Sequence, residues 1–223
     1  MKSKEHFFKP ISQLLDDLKH VSITNDRKSE LNEIARYILT KLQKNEEVNL
    51  NFLCNYNSRR SQLLQVWSKT CADYFKVPVN TYSGGLKSAN IPIIVIETLK
   101  TQGFKVVSKD SNPPIYFLFY SDEKDPLILY SKHFSDPINK QRKFVSIINC
   151  KQANYHCPPM PHAEKEISLY YLDPIVFDNE EKTLEQYLQL SNAIASDMTY
   201  LFHNIKKAIK EKRASTLSIP TAT

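Results

Sequence analysis

No apolar segment of this chain is long enough to cross a bilayer, and its start carries no cleavage pattern, so no membrane span and no secretion are expected. No basic run stands out either. The formal net charge is +6, but the lysines and arginines are scattered, which argues against a nucleic-acid groove. Cysteine is sparse. Four cysteines without a leader point to reduced thiols in the cytoplasm, where any disulfide is transient and catalytic. Glycine is scarcer still: of three, two are adjacent (Gly84, Gly85). A tight loop elsewhere that needs positive φ must then use asparagine, which tolerates it better than most residues. Apolar content of 41% and charged content of 24% exclude a disordered chain. The length, 223 residues, suits one domain with a substantial core and some appendages.

Hydrophobic spacing organises the chain. Residues 1–47 read as a helical extension: Phe7, Phe8, Ile11, Leu14, Leu15 and Leu18 form one amphipathic stretch, and Leu31, Ile34, Tyr37, Ile38 and Leu42 a second, capped by Asn25 or Asp26. Residues 48–210 then alternate strand and helix patterns. Leu50–Leu53 reads as a strand, Ser61–Lys76 as a helix, and Val79–Tyr82 as a strand ending in a Ser83-Gly84-Gly85 turn. A helix starts near Pro92 and stops at Gly103. Ile115–Tyr120 and Leu127–Tyr130 read as an antiparallel hairpin, Phe144–Asn149 and Ile167–Leu172 as strands, and Glu180–Lys210 as the last helix. Residues 211–223 read as a loose tail. This alternation predicts an α/β fold with a mainly parallel sheet, whose active residues gather beyond the carboxyl ends of strands. Cys54, Ser83, Cys150 and Asp173 all fall there.

The chemistry concentrates in Cys54-Asn55-Tyr56-Asn57-Ser58-Arg59-Arg60-Ser61. A cysteine, five residues, an arginine and a serine, set between a strand and a helix, place main-chain N–H groups and a positive helix end around one sulfur. A cysteine there should lose its proton easily. Backbone N–H groups from Asn55 to Arg60 are candidate donors to a tetrahedral oxyanion, and the Arg60 guanidinium binds two oxygens at once. The hydroxyls of Ser58 and Ser61 are candidate donors to the sulfur. Asn57 is the candidate for positive φ. Asp173, before Pro174, is a candidate general acid for the departing oxygen. Cys71, on the helix after the loop, reads as core. A zinc site from Cys150, Cys157 and His156 or His162 is disfavoured, since metal pairs usually have two to four intervening residues. No metal and no cofactor are expected.

These motifs resemble the low-molecular-weight protein tyrosine phosphatase superfamily, whose loop is C-x5-R-S and whose acid is a late Asp-Pro. Within it, the chain more closely resembles the thioredoxin-coupled arsenate reductases. The residues that carry this are Cys150 and Cys157 in Asn149-Cys150-Lys151-Gln152-Ala153-Asn154-Tyr155-His156-Cys157-Pro158, together with the Tyr82-Ser83-Gly84-Gly85 segment. The resemblance covers roughly residues 48–208 and leaves the N-terminal helices and the hairpin region as additions. It implies a flavodoxin-like three-layer fold with a central mainly parallel sheet, an N-terminal helical extension and an inserted β-hairpin. It also implies arsenate reduction: Cys54 attacks arsenic, Asp173 helps water leave, Cys150 takes Cys54 into a disulfide and releases arsenite. Cys157 then closes a Cys150–Cys157 disulfide that thioredoxin reduces. The substrate class implied is an arsenate- or phosphate-type oxyanion. The alternative is phosphomonoester hydrolysis by Cys54, Arg60 and Asp173, with the other two cysteines in redox control; a third reading is a non-enzymatic oxyanion sensor. Tyr56 stands where both families usually carry glycine, Arg59 adds charge near the loop, and Gln65 replaces the glutamate through which some reductases bind potassium.

Overall fold

The computed structural model describes residues 7–140, 142–149, 160, 162–178 and 182–217. Helix α1 spans Lys9–Leu18 and starts with a proline in its first turn, where the missing N–H costs nothing. It buries Ile11 and Leu15, one turn apart. Helix α2, Asn25–Gln43, is capped by Thr24, whose side chain accepts the Arg27 N–H. The cap therefore lies one residue before the expected Asn25 and two before Asp26. Thr24 keeps extended backbone angles, while Asp26 falls in the first turn, where its charge favours the helix end.

Strand β1 (Asn49–Cys54) is buried along its whole length, as befits a parallel strand covered on both faces. It leads into α3 (Arg60–Tyr74), β2 (Asn80–Gly85) and α4 (Ile93–Thr101). Then come β3 (Lys105–Lys109), β4 (Ile115–Phe119), β5 (Leu127–Leu129), β6 (Phe144–Ile148) and β7 (Ala163–Ser168). A 3-10 turn at Pro174–Phe177 precedes the long helix α5, Thr183–Leu217. Strands β2-β1-β6-β7 form one sheet in that order, and every pair in it is parallel. Counted among themselves these strands run 2-1-3-4, the flavodoxin-like order, with the direction of winding reversing at β1. Leu50, Phe52, Val145 and Ile147 enter the main core together with Trp67, Met198 and Phe202 of α3 and α5. Leu53 and Phe144, alternating to the opposite face, meet Met160 in a smaller cluster.

Several expectations shift. The Ser83-Gly84-Gly85 segment is not a turn but the end of β2. Its glycines serve close packing: a Cβ on Gly84 would lie 2.6 Å from the Phe134 Cα, and one on Gly85 2.4 Å from the Lys87 carbonyl oxygen. The expected hairpin has a third strand, β3, and forms an antiparallel sheet in the order β3-β4-β5; lysines at both ends of β3 hid its pattern. Strand β7 lies earlier than the apolar run that suggested it, because an edge strand exposes most of its residues and buries little beyond Ile167. Leu169–Leu172 instead forms the segment leading to Asp173. Helix α5 continues to Leu217, past the expected boundary at 210.

Candidate active site

Cys54 is the last residue of β1, paired with Gly85 of β2, and is 4% exposed. The next residue back, Leu53, pairs with Gly84 on one side and Ile148 on the other. The sulfur therefore sits at the carboxyl edge of a central strand, at the point where the sheet reverses its winding. The chain then curls and enters α3 at Arg60. The Asn57 N–H donates to Cys54 Sγ at 3.1 Å, and the Ser61 hydroxyl lies 3.0 Å from the same sulfur. Among the described residues Ser61, and not Ser58, supplies the hydroxyl contact.

Asn57 organises the curl. Its φ is 48°, the left-handed value expected from the scarcity of glycine. Its side-chain N–H donates to Ser61 Oγ at 2.9 Å, and its Oδ1 accepts from Gln62 Nε2 and from the Lys132 N–H, both at 3.0 Å. Gln62 Nε2 also reaches the Tyr130 carbonyl at 2.9 Å, and the Ser131 hydroxyl donates to the Tyr56 carbonyl at 2.8 Å. The segment after β5 thus braces the loop from outside. It also pairs with the end of β2: Gly85 N–H donates to the Lys132 carbonyl, and Phe134 N–H to the Gly85 carbonyl. The C-x5-R spacing carried no signal for Gln62, Ser131 or Lys132.

Lys132 is a buried amine, 4% exposed. Its Nζ has the Ser83 hydroxyl at 3.4 Å and the Tyr130 ring centroid at 4.8 Å. Burial pushes its pKa down to about 8, against a smaller opposing pull from Asp136. Gln65, in α3, spans to β2, accepting from the Ser83 hydroxyl at 2.5 Å. Tyr56 is 45% exposed, turned outward from the loop.

Arg60 is buried and tied to the segment after β7. Its Nη1 donates to the Tyr171 carbonyl at 3.1 Å, and its Nη2 pairs with Asp173 Oδ2. The guanidinium at the end of the cysteine loop and the Asp-Pro carboxylate are therefore in contact. Asp173 also caps the 3-10 turn by accepting the Ile175 N–H at 3.2 Å. Arg59 is held differently: it donates to Tyr187 at 2.8 Å and pairs with Asp178 at 2.9 Å. Burial works against the Arg59 charge, and Tyr187, Asp178 and Asp173 outweigh it, leaving its pKa raised. Asn55 takes part through its carbonyl, which accepts the Lys87 N–H at 2.9 Å. Cys71 is fully buried against Thr199, and burial pushes its thiol up to about 12, so it is an inert core residue. Cys150, Cys157 and His156 lie outside the described residues. Among the described residues no cluster of histidine, cysteine and carboxylate side chains is placed to hold a metal ion.

No protein-family model matches the chain, and no curated protein matches it. Solved structures to which it is similar include a low-molecular-weight phosphotyrosine phosphatase from Vibrio cholerae O395. That chain is 12% identical over 72% of this chain and 98% of the other, with a TM-score of 0.49. An arsenate reductase in a phosphate-binding state is 18% identical over 71% of this chain and 98% of the other, with a TM-score of 0.45. A thioredoxin-dependent arsenate reductase from Corynebacterium glutamicum is 16% identical over 93% of this chain and 86% of the other, with a TM-score of 0.36.

Proposed function

We propose that the chain is an enzyme of thiolate–oxyanion chemistry and that its reaction is the reduction of arsenate to arsenite. The observation that carries the first part is the Cys54 sulfur held between the Asn57 N–H and the Ser61 hydroxyl, in a loop whose Arg60 is paired with Asp173. An incoming oxyanion competes with Asp173 for the guanidinium. Binding it releases the Asp173 carboxylate, which takes a proton from the Cys54 thiol or a hydroxyl of the incoming oxyanion and passes it to the departing oxygen. With Cys54 barely exposed, the reacting group of the substrate must be small.

The reductase reading rests on the position of Asn149. Its N–H donates to the Leu53 carbonyl at 2.9 Å, so Cys150 follows a residue bonded to the neighbour of Cys54. The proposed steps balance as follows. Cys54 forms a sulfur–arsenic(V) bond and water leaves. The Cys150 thiolate attacks Cys54 Sγ, the sulfur–arsenic bond breaks, and its electron pair stays on arsenic as arsenite. Two thiols have then become one disulfide, which accounts for the two electrons. Cys157 displaces Cys54 from Cys150, and an external dithiol of the thioredoxin kind reduces the resulting Cys150–Cys157 bond.

Hydrolysis of a phosphomonoester would use the same Cys54, Arg60 and Asp173, with water taking the place of Cys150. One variant separates the two. Cys157→Ala should halt arsenate turnover after about one equivalent while leaving phosphate-ester cleavage within about twofold. Thiol counting with disulfide mapping after a single arsenate turnover makes the same distinction. A Cys150–Cys157 bridge supports reduction, and free thiols at all three positions reject it.

A further inference from the structure

The N-terminal extension does more than cover the core. Helix α2 lies along the edge strand β7, antiparallel to it, through a series of polar contacts. Lys41 pairs with Glu164 at 2.6 Å, Tyr37 donates to Glu164 at 2.7 Å, and Glu33 pairs with Lys165 at 2.6 Å. At the far end Arg27 passes the strand and reaches the segment that carries Asp173. Its Nη2 donates to the Tyr170 carbonyl at 2.9 Å, and its guanidinium carbon lies 4.5 Å from the Tyr171 ring centroid. Its Nε meets Asp197 of α5 at 3.2 Å, and its Nη1 meets Glu30 at 2.7 Å. The buried Tyr171 hydroxyl donates to the same Asp197 carboxylate at 2.6 Å.

Tyr171 therefore has two ends with different duties. Its side chain is locked at a junction of α2, α5 and its own segment, while its carbonyl accepts from Arg60 of the oxyanion loop. Asp173 is two residues further on and pairs with that same Arg60. A guanidinium suits the junction because its planar fork can satisfy a carbonyl and two carboxylates while its face covers a ring. Burial opposes the Arg27 charge, but Tyr171, Asp197 and Glu30 outweigh it and leave the pKa raised, so the cation is permanent.

We propose that Arg27 is a positioning residue of the catalytic site: from the N-terminal extension it fixes the Tyr170–Asp173 segment, and so sets where the Asp173 carboxyl meets the leaving group. The proposal rests on the reading of Asp173 as the proton donor. It makes the extension part of the enzyme's working structure.

The test compares Arg27→Ala, Arg27→Lys and Asp173→Asn with the parent chain on two aryl phosphates. Phenyl phosphate has a poor leaving group that needs a proton; 2,4-dinitrophenyl phosphate has one that does not. Arg27→Ala should lower kcat on phenyl phosphate by about tenfold or more and on the dinitrophenyl ester by about twofold at most. Arg27→Lys, which keeps charge without the fork, should fall between, and millimolar guanidinium ion should restore part of the lost rate to Arg27→Ala. Amide hydrogen exchange at residues 169–173 should quicken in Arg27→Ala while residues 54–61 keep their protection. Equal loss on both esters, or unchanged exchange at 169–173, overturns the proposal. An Asp173→Asn variant that loses nothing on phenyl phosphate overturns the reading of Asp173 instead. If the parent cleaves neither ester, the hydrolytic reading of the site fails on its own, and the exchange measurement alone decides the role of Arg27.

Discussion

Asn57 performs at this loop the conformational task that glycine performs in most tight turns, and its side chain adds three hydrogen-bonding duties that glycine cannot. Its amide holds the sulfur, its side chain joins Ser61, Gln62 and Lys132, and its left-handed φ closes the curl. The left-handed φ was legible, because the loop offers no glycine and asparagine tolerates that conformation; the side-chain bonds were not. Lys132 was not legible. It lies 75 positions from Asn57, in the segment after an inserted hairpin, and nothing periodic marks a lysine whose amine is buried. Its titration gives a residue-scale prediction. The folded pKa, about 8, lies below the ordinary 10.5, so the unfolded chain binds the extra proton and stability rises with pH between those values. Below pH 8 the cost of the buried charge is present in full; it fades as pH climbs toward 10.5. Lys132→Met should therefore be more stable than the parent at pH 7 by about 2 kcal/mol. Urea titrations across pH 7–10 should find that margin shrinking; a margin that grows with pH would reject the account.

At the scale of elements, the site is assembled where β1, β2 and the segment after β5 converge. The parallel order around β1 was legible from the alternation of strand and helix patterns. The ends were not, because apolar runs mark burial and not pairing: Leu169–Leu172 is apolar yet approaches the site as a connecting segment, whereas β7 pairs with five polar or small residues among its six. The glycine pair likewise suggested a turn, although its use is steric. At Gly85 an added Cβ would meet three backbone atoms, the Lys87 oxygen at 2.4 Å, the Asn57 nitrogen at 2.7 Å and the Tyr56 carbonyl carbon at 2.9 Å. Backbone atoms cannot rotate aside, so the Cys54–Arg60 loop itself must shift. Gly85→Ala should then cost about 2 kcal/mol of stability and about a hundredfold in turnover, since small displacements of reacting groups are expensive. Steady-state kinetics beside urea unfolding would check both; an active Gly85→Ala enzyme would show that the loop yields.

Across the whole molecule one hydrophobic cluster takes Ile11 and Leu15 from α1, Leu31, Ile34 and Ile38 from α2, and Tyr116, Leu118 and Leu129 from the antiparallel sheet. It joins them to Phe52, Trp67 and Phe202 of the central layers. The extension and the inserted strands are thus built into the same core as the central sheet and its helices. Ile38→Ala should destabilise the entire chain by about 2–5 kcal/mol. Trp67 fluorescence and far-ultraviolet circular dichroism should report one coincident transition; an early, separate loss of helix signal would mean the extension unfolds alone. The placement of Cys54 has a consequence for how such a protein can change. The Cys54 backbone is anchored by the β1–β2 ladder and its sulfur by Asn57 and Ser61, while Tyr56 lies exposed on the outside of the loop. On the proposed function, replacements at position 56 can retune which oxyanion is admitted without re-siting the sulfur, so substrate choice and reactive machinery are separately adjustable.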